Sequence, residues 1–213
     1  MTADKERPYD PTAFISENLT LKPAPGIPEI SLYQAHPASR ISRLAGDVAP
    51  YWAYGWAGGT VLARYILDHT ATVKAWRGLD LGAGSGIVAI AAMQAGAASV
   101  LAVDTDPNAI AAIALNAGAN GVAITTLADD ITGNPPPDVD LILAGDVFYH
   151  EHVAAKMIPF LDRCHAAGIA ILIGDPGRTP LPLGRLRAVA DYHVPDFGDA
   201  TAVDRPSFVY TWS

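Results

Sequence analysis

Three glycines at alternate positions behind a short apolar run, Gly78-Leu79-Asp80-Leu81-Gly82-Ala83-Gly84-Ser85-Gly86-Ile87, constrain this chain more than any other feature. Such a run reads as a strand turning sharply into a helix, because residues without a Cβ let the backbone fold back and let a ligand approach it closely. The helix that begins near Ser85 directs its free N–H groups into the crevice beyond the strand. The next apolar run, Ser99-Val100-Leu101-Ala102-Val103, ends on Asp104. A carboxylate at that strand tip, about twenty residues after the glycines, is placed to accept both hydroxyls of a ribose. A nucleoside-bearing ligand is therefore expected among Asp80, Gly82, Gly84, Ser85, Gly86, Asp104 and Thr105.

The rest of the chain repeats this alternation. A helix over Gly58 to His69 leads into strand Gly78 to Leu81. Helix Gly86 to Ala95, strand Ser99 to Val103, helix Pro107 to Ala117, strands Val122 to Thr126 and Val139 to Ala144, helix Glu151 to His165 and strand Ile169 to Ile173 follow. Strands alternating with helices predict an α/β fold, a Rossmann-like parallel sheet with helices on both faces. Asp191 to Phe197 and Ser207 to Trp212 read instead as two strands without a helix between them, an antiparallel edge pair. Asp106 and Pro107 are expected to start their helix, and Gly118 and Gly168 to cap two helix ends. Residues 1–48 read as an N-terminal extension packed on a single domain of residues 49–213. In that extension Pro23, Pro25 and Pro28 separate a helix at Pro11 to Leu19 from a short extended piece at Ile30 to Tyr33.

Charge and composition narrow the function classes. The 213 residues are 50% hydrophobic and 17% charged, which excludes disorder for the bulk of the chain. A net charge of −8 argues against nucleic acid as partner and suits a basic, lysine-bearing one. No apolar stretch reaches the roughly 20 residues that span a bilayer, so no membrane association is expected. Asp4, Glu6 and Asp10 interrupt any signal-like or transit-like N-terminus, and the lone Cys164 offers neither disulfide nor metal cluster. A cytoplasmic protein is the expectation.

Glycine spacing separates two cofactor classes. A dinucleotide fingerprint is GxGxxG, whereas this chain has GxGxG preceded by Asp80. That arrangement resembles the first motif of class I S-adenosylmethionine-dependent methyltransferases, whose fold is a seven-stranded, mostly parallel sheet with an antiparallel last strand. In open α/β sheets the ligand lies beyond the carboxyl ends of the strands. Asp104, Asp129, Asp130, Asp146 and Asp175 all follow predicted strands. By that resemblance an acidic residue followed by an apolar one after the third strand contacts the adenine. Asp130-Ile131 fits best, with Asp129 a close rival. In the run Tyr51-Trp52-Ala53-Tyr54-Gly55-Trp56-Ala57-Gly58-Gly59, Trp56 beside the helix-opening glycines is the expected wall of the cofactor site.

The most specific signal is Gly145-Asp146-Val147-Phe148-Tyr149 read with Ile173-Gly174-Asp175-Pro176-Gly177-Arg178. Together with Trp56-Ala57-Gly58-Gly59 and the glycine run, in that order along the chain, these residues resemble the electron-transfer flavoprotein β-subunit lysine methyltransferases. The resemblance implies S-adenosylmethionine as cofactor and the electron-transfer flavoprotein β subunit as protein substrate. It places Asp146, Phe148 and Tyr149 at the catalytic centre: Asp146 to orient the amine, the two aromatics to line its channel, and no metal. Deprotonating a free lysine of pKa about 10.4 costs roughly 4 to 5 kcal/mol at pH 7, and a nearby carboxylate favours the charged form. Asp146 is therefore read as positioner more than base, and no residue is an obvious base. His150 and His152 are expected to be solvated. Arg178 stays open between a surface turn residue and a holder of carboxylate or phosphate. Three alternatives remain: a related methyltransferase acting on a ribosomal or other basic protein, a nicotinamide-dependent oxidoreductase, and a silent partner-binding module.

Overall fold

The structure, a computed structural model, describes residues 9–41, 49–196 and 204–213. Asp4, Glu6 and Phe197 of the expectations above lie outside these residues. In chain order the elements are α1 (Pro11–Asn18), β1 (Thr20–Ala24), β2 (Ile27–Gln34), α2 (Ala57–Asp68), β3 (Arg77–Leu81), α3 (Ile87–Gln94), β4 (Ser99–Asp104), α4 (Pro107–Ala119), β5 (Thr125–Ala128), β6 (Leu141–Gly145), α5 (Glu151–Ala166), β7 (Ala170–Asp175), β8 (Leu186–Val194) and β9 (Arg205–Trp212). The main sheet runs β5-β4-β3-β6-β7-β9-β8. Neighbours from β5 to β7 pair in parallel, and β9 is antiparallel to both β7 and β8. This is the expected seven-stranded sheet with an antiparallel last strand.

Strand period two splits the core into two layers. On β6, Leu141 and Leu143 enter the layer under α2 and α3, while Ile142 and Ala144 enter the layer under α5. Full burial of each leucine or isoleucine among them contributes about 1.5–3 kcal/mol. Helix α3 is buried at every position from Ile87 to Ala92, as expected for a helix apolar all round and wedged between layers. Among the described residues no helix is long and apolar enough to cross a membrane.

Four local expectations need correction, one being the strand expected from Asp191 onward, which is β8 and runs Leu186–Val194. Helix α4 runs through Gly118 and stops instead at Gly121, whose φ of 67° lets the Val122 N–H reach the Ala117 carbonyl. That closing turn holds Val122, so the following strand starts at Thr125 rather than Val122. Gly168 does end α5 in the same way, with Ile169 N–H on the Cys164 carbonyl. The prolines of the extension do not break it up. Pro23 lies in β1 opposite Ser31, and the Pro25-Gly26 turn joins a full β1–β2 hairpin, which proline tolerates because a two-stranded ribbon is all edge. Ile27, Ile30 and Leu32 bury into the α2–α3 layer, and α1 packs Ile15 against Ala109 and Ala112 of α4.

Candidate active site

Beyond the carboxyl ends of β3 to β6 lies a cleft of about 520 Å³. Gly82, Gly84 and Gly86 all have left-handed φ, 68°, 53° and 79°, a conformation that a Cβ disfavours. The loop they form is clamped from several sides. Gly82 and Ala83 donate N–H groups to the Val103 carbonyl, Gly84 N–H donates to Asp104 Oδ2 at 2.8 Å, and buried Asn116 of α4 donates to the Ser85 carbonyl. Asn116 also accepts the Tyr33 N–H, tying the N-terminal hairpin to the glycine loop. Asp80, Gly82, Gly84, Ser85, Asp104, Thr105, Asp129, Asp130 and Trp56 line the cleft. Gly86 does not; it starts α3, packed against Ile113.

Burial dominates the acids of this region. Asp80 is 1% exposed, its Oδ2 accepts the Ala89 N–H of α3, and burial pushes its carboxyl up to about 7. Asp175, also buried, is pushed up to about 6, and burial raises Asp104 against the N–H donors of Asp106 and Gly84. Each native pKa lies above the ordinary value of 3.8, so between about pH 4 and 7 the folded chain keeps protons that the unfolded chain has released. Stability without ligand should therefore fall as pH rises through this window. Asp80 alone accounts for about 4 kcal/mol at the upper end. Thermal melts are expected to give a higher Tm at pH 5 than at pH 7.5, with most of the difference gone in Asp80→Asn. A Tm that rises from pH 5 to 7.5 would contradict this account.

At the β5 end of the cleft Asp130 is already committed. Its Oδ1 accepts the N–H and hydroxyl of Thr132, its Oδ2 pairs with Lys156 at 2.9 Å, and these contacts hold its carboxyl below the ordinary value. Asp129 is exposed on the cleft wall and is the less committed of the two.

At the other end of the cleft, Asp146 turns the chain out of β6 with φ 57°, its N–H on the Gly174 carbonyl. Helix α2 begins at Trp56 without a capping side chain of its own. Two distant carboxylates supply the cap: Asp196 Oδ1 accepts the Ala57 N–H at 3.1 Å and Asp146 Oδ2 accepts the Gly59 N–H at 3.0 Å. The positive end of the helix dipole thus faces both anions. Arg178 packs Nε at 2.7 Å and Nη2 at 2.5 Å on the same Asp146 oxygen, Oδ1, although Nη2 lacks hydrogen-bonding geometry to any acceptor. Arg178 is therefore a holder of carboxylate, and the carboxylate is the protein's own. Burial raises the Asp146 carboxyl, and Arg178 with the Gly59 N–H opposes that rise.

Aromatic rings frame this end. Tyr149 is 51% exposed and its ring lies 5.5 Å from Tyr51, which meets Trp56 edge-on at 5.6 Å. The Arg178 guanidinium sits 5.8 Å from the Trp56 ring. Phe148 corrects the expectation that it lines a channel. It is fully buried in the α5 layer and stacked on Trp212, because the turn at Asp146 sends Val147 and Phe148 inward and only Tyr149 outward. His150 caps α5 by accepting the His152 N–H, and among the described residues no three His, Cys, Asp or Glu groups could hold a metal. Sequence reasoning missed Asn116 and Asp196 as organisers of the site. The Gly58-Gly59 pair was the available signal for the helix end they serve.

Known proteins resemble this chain in sequence and in fold. The sequence is 37% identical over 195 residues to an electron transfer flavoprotein beta subunit lysine methyltransferase of Rattus norvegicus, covering 86% of this chain and 76% of that one. The Mus musculus protein of that name is 39% identical over 173 residues, 78% and 68% of the two chains. This chain belongs to the electron transfer flavoprotein beta subunit lysine methyltransferase family. It is thus an enzyme of a protein-lysine methyltransferase family, which sets aside the oxidoreductase and silent-module alternatives. The family model described as ribosomal protein L11 methyltransferase (PrmA) matches residues 55–147, from the start of α2 to just past β6. A solved ribosomal protein L11 methylase from Lactobacillus delbrueckii subsp. bulgaricus shares the fold, with TM-score 0.55 and 24% identity over 75% of this chain and 81% of that one. Family and fold imply S-adenosylmethionine as the methyl donor.

Proposed function

We propose that this enzyme transfers methyl groups from S-adenosylmethionine to lysine side chains of the electron transfer flavoprotein β subunit. One observation carries the reading: a loop built for a nucleoside and a carboxylate framed by aromatic rings open into the same cleft. The residues fit the cofactor. The cleft volume falls in the usual small-molecule range of roughly 300–1,000 Å³, and the buried Trp52 Nε1 on its wall has no protein partner. Asp104 would hold the ribose, Asp129 or Asp130 the adenine, and the glycine loop with Trp56 the remainder. When bound, the cofactor supplies a methyl group activated on a positively charged sulfur.

The protein's part is placement and electrostatics. In an in-line displacement positive charge migrates toward the attacking nitrogen, so ring faces and a fixed carboxylate beside the path favour the transition state. Asp146 would orient the amine, with Tyr51, Tyr149 and Trp56 as walls and the Tyr149 hydroxyl as a second polar contact. A surface of net charge −8 suits a lysine-bearing protein partner. The test is intact-mass spectrometry of recombinant electron transfer flavoprotein β subunit incubated with this enzyme and S-adenosylmethionine, beside a cofactor-free control. Cofactor-dependent steps of roughly 14 Da on lysines are expected, the mass of an added methyl less a proton. Absence of any step, while S-adenosylmethionine binding is measurable, would remove this protein as the substrate.

A further inference from the structure

A lysine amine must be neutral to attack, yet a lysine of pKa about 10.4 is neutral in only about one molecule in 2,500 at pH 7. A bare carboxylate beside it would make matters worse by stabilising the ammonium. The cleft does not present a bare carboxylate. Both nitrogens of Arg178 nearest Asp146 converge on Oδ1, leaving Oδ2 with the single Gly59 N–H at 3.0 Å. Oδ2 therefore keeps acceptor capacity for an amine, while its charge is already balanced.

We infer that Arg178 is a positioning residue that neutralises Asp146, so that Asp146 orients the substrate amine by hydrogen bonding without holding it as an ammonium. This rests on the lysine methyltransferase reading above. The ammonium loses its proton to solvent water at the cleft mouth, the freed lone pair forms the N–C bond, and the C–S bond breaks with its electrons going to sulfur.

The surroundings enforce the arrangement. The backbone N–H groups of Gly177 and Arg178 both donate to Asp175 Oδ1 at 2.7 Å, fixing the turn after β7 that carries Arg178. Asp196 stands 3.8 Å from the guanidinium but is itself paired with Arg205 of β9 at 3.2 Å, so it does not draw Arg178 away from Asp146. Helix α2 contributes only backbone N–H groups and the Trp56 ring. Among the described residues Asp175 also bears on Asp146, and burial holds the hydroxyl of Tyr149, which lines the same cleft, above its ordinary range.

The test is the pH profile of kcat for wild type, Arg178→Gln and Arg178→Lys, read on whichever lysine-bearing protein the wild type methylates. Removing the cation exposes the amine to the full charge of Asp146, so its pKa rises and the acid limb moves to higher pH. Arg178→Gln should lose about tenfold in kcat at pH 7.5 and shift the acid limb up by about one unit, with the gap to wild type closing only as pH passes the shifted limb. Arg178→Lys keeps the charge and should keep the limb near its wild-type position. Affinity for the protein substrate, measured calorimetrically with S-adenosylhomocysteine in the cleft, should not weaken in Arg178→Gln. A uniform loss at every pH, or an unshifted limb, would overturn the inference. Wild-type silence toward the flavoprotein subunit alone would count against the substrate assignment and not against Arg178.

Discussion

Asp146→Asn should lower methyl transfer about 100- to 1,000-fold, the scale on which a single oriented electrostatic group acts in a transition state. Asparagine is the informative replacement because it adopts left-handed backbone more readily than other residues, and this position has φ 57°. Its amide oxygen can accept the Gly59 N–H that Asp146 Oδ2 accepts now, so the start of α2 stays capped. The loss then falls on charge. The NH2 group then takes the place of Oδ1 and faces Arg178, from which it cannot accept, so the guanidinium charge is left unbalanced beside the nitrogen that becomes positive. Arg178 loses its main partner, and breaking a buried pair costs about 3–5 kcal/mol. With Asp196 at 3.8 Å to take over part of the pairing, Tm should fall by several degrees without unfolding the enzyme at 25 °C. Asp104 and the glycine loop are untouched, so calorimetric affinity for S-adenosylhomocysteine should stay unchanged. Near-normal kcat in a folded Asp146→Asn enzyme would remove Asp146 from the transition state.

The glycine-loop half of the cleft was legible in sequence because local rules govern it. Left-handed turns demand glycine, a strand ends at the cleft, and Asp104 follows at a spacing set by one helix. The Asp146 half was legible as a motif but not as an arrangement. Nothing within Asp146-Val147-Phe148-Tyr149 says which ring faces the cleft; that depends on the left-handed turn at Asp146, which buries Phe148 beneath Trp212 from β9. Arg178 and Asp196 reach the site across 32 and 50 positions of chain from Asp146, and the pairing of β6 with β7, β7 with β9 and β9 with β8 brings them together. The proline-bearing hairpin was hidden for a related reason: its strands are held by one another and by Asn116 and Asn120 of the chain near α4, contacts that no local propensity encodes.

Three glycines beside Asp146 carry the other large prediction, and none of them is there for its backbone angle. Gly58, Gly145 and Gly174 all lack positive φ, so alanine fits their conformation. It does not fit the space. A Cβ on Gly174 would stand 2.1 Å from the Gly58 carbonyl oxygen, one on Gly58 2.3 Å from the Gly174 oxygen and 2.6 Å from Asp146 Oδ2, and one on Gly145 2.7 Å from Gly59 Cα. These glycines let the first turn of α2 lie backbone to backbone on the ends of β6 and β7, which is what brings the Gly59 N–H to Asp146. The nearest atom met in each case is main chain, so relief requires the helix to move outward. Gly174→Ala should therefore destabilise by about 3 kcal/mol or more, at the high end for overpacking, lowering Tm by roughly 6–12 °C for a chain of this size. Activity should fall further than stability in protein that remains folded, because the displaced helix releases Asp146. Gly118→Ala is the matched control: it lies inside α4 with nothing within 4 Å, and alanine there should raise stability by about 0.5–1 kcal/mol. If Gly174→Ala melted within a degree or so of the wild type, the close approach of α2 to the sheet would not be what holds Asp146 in place.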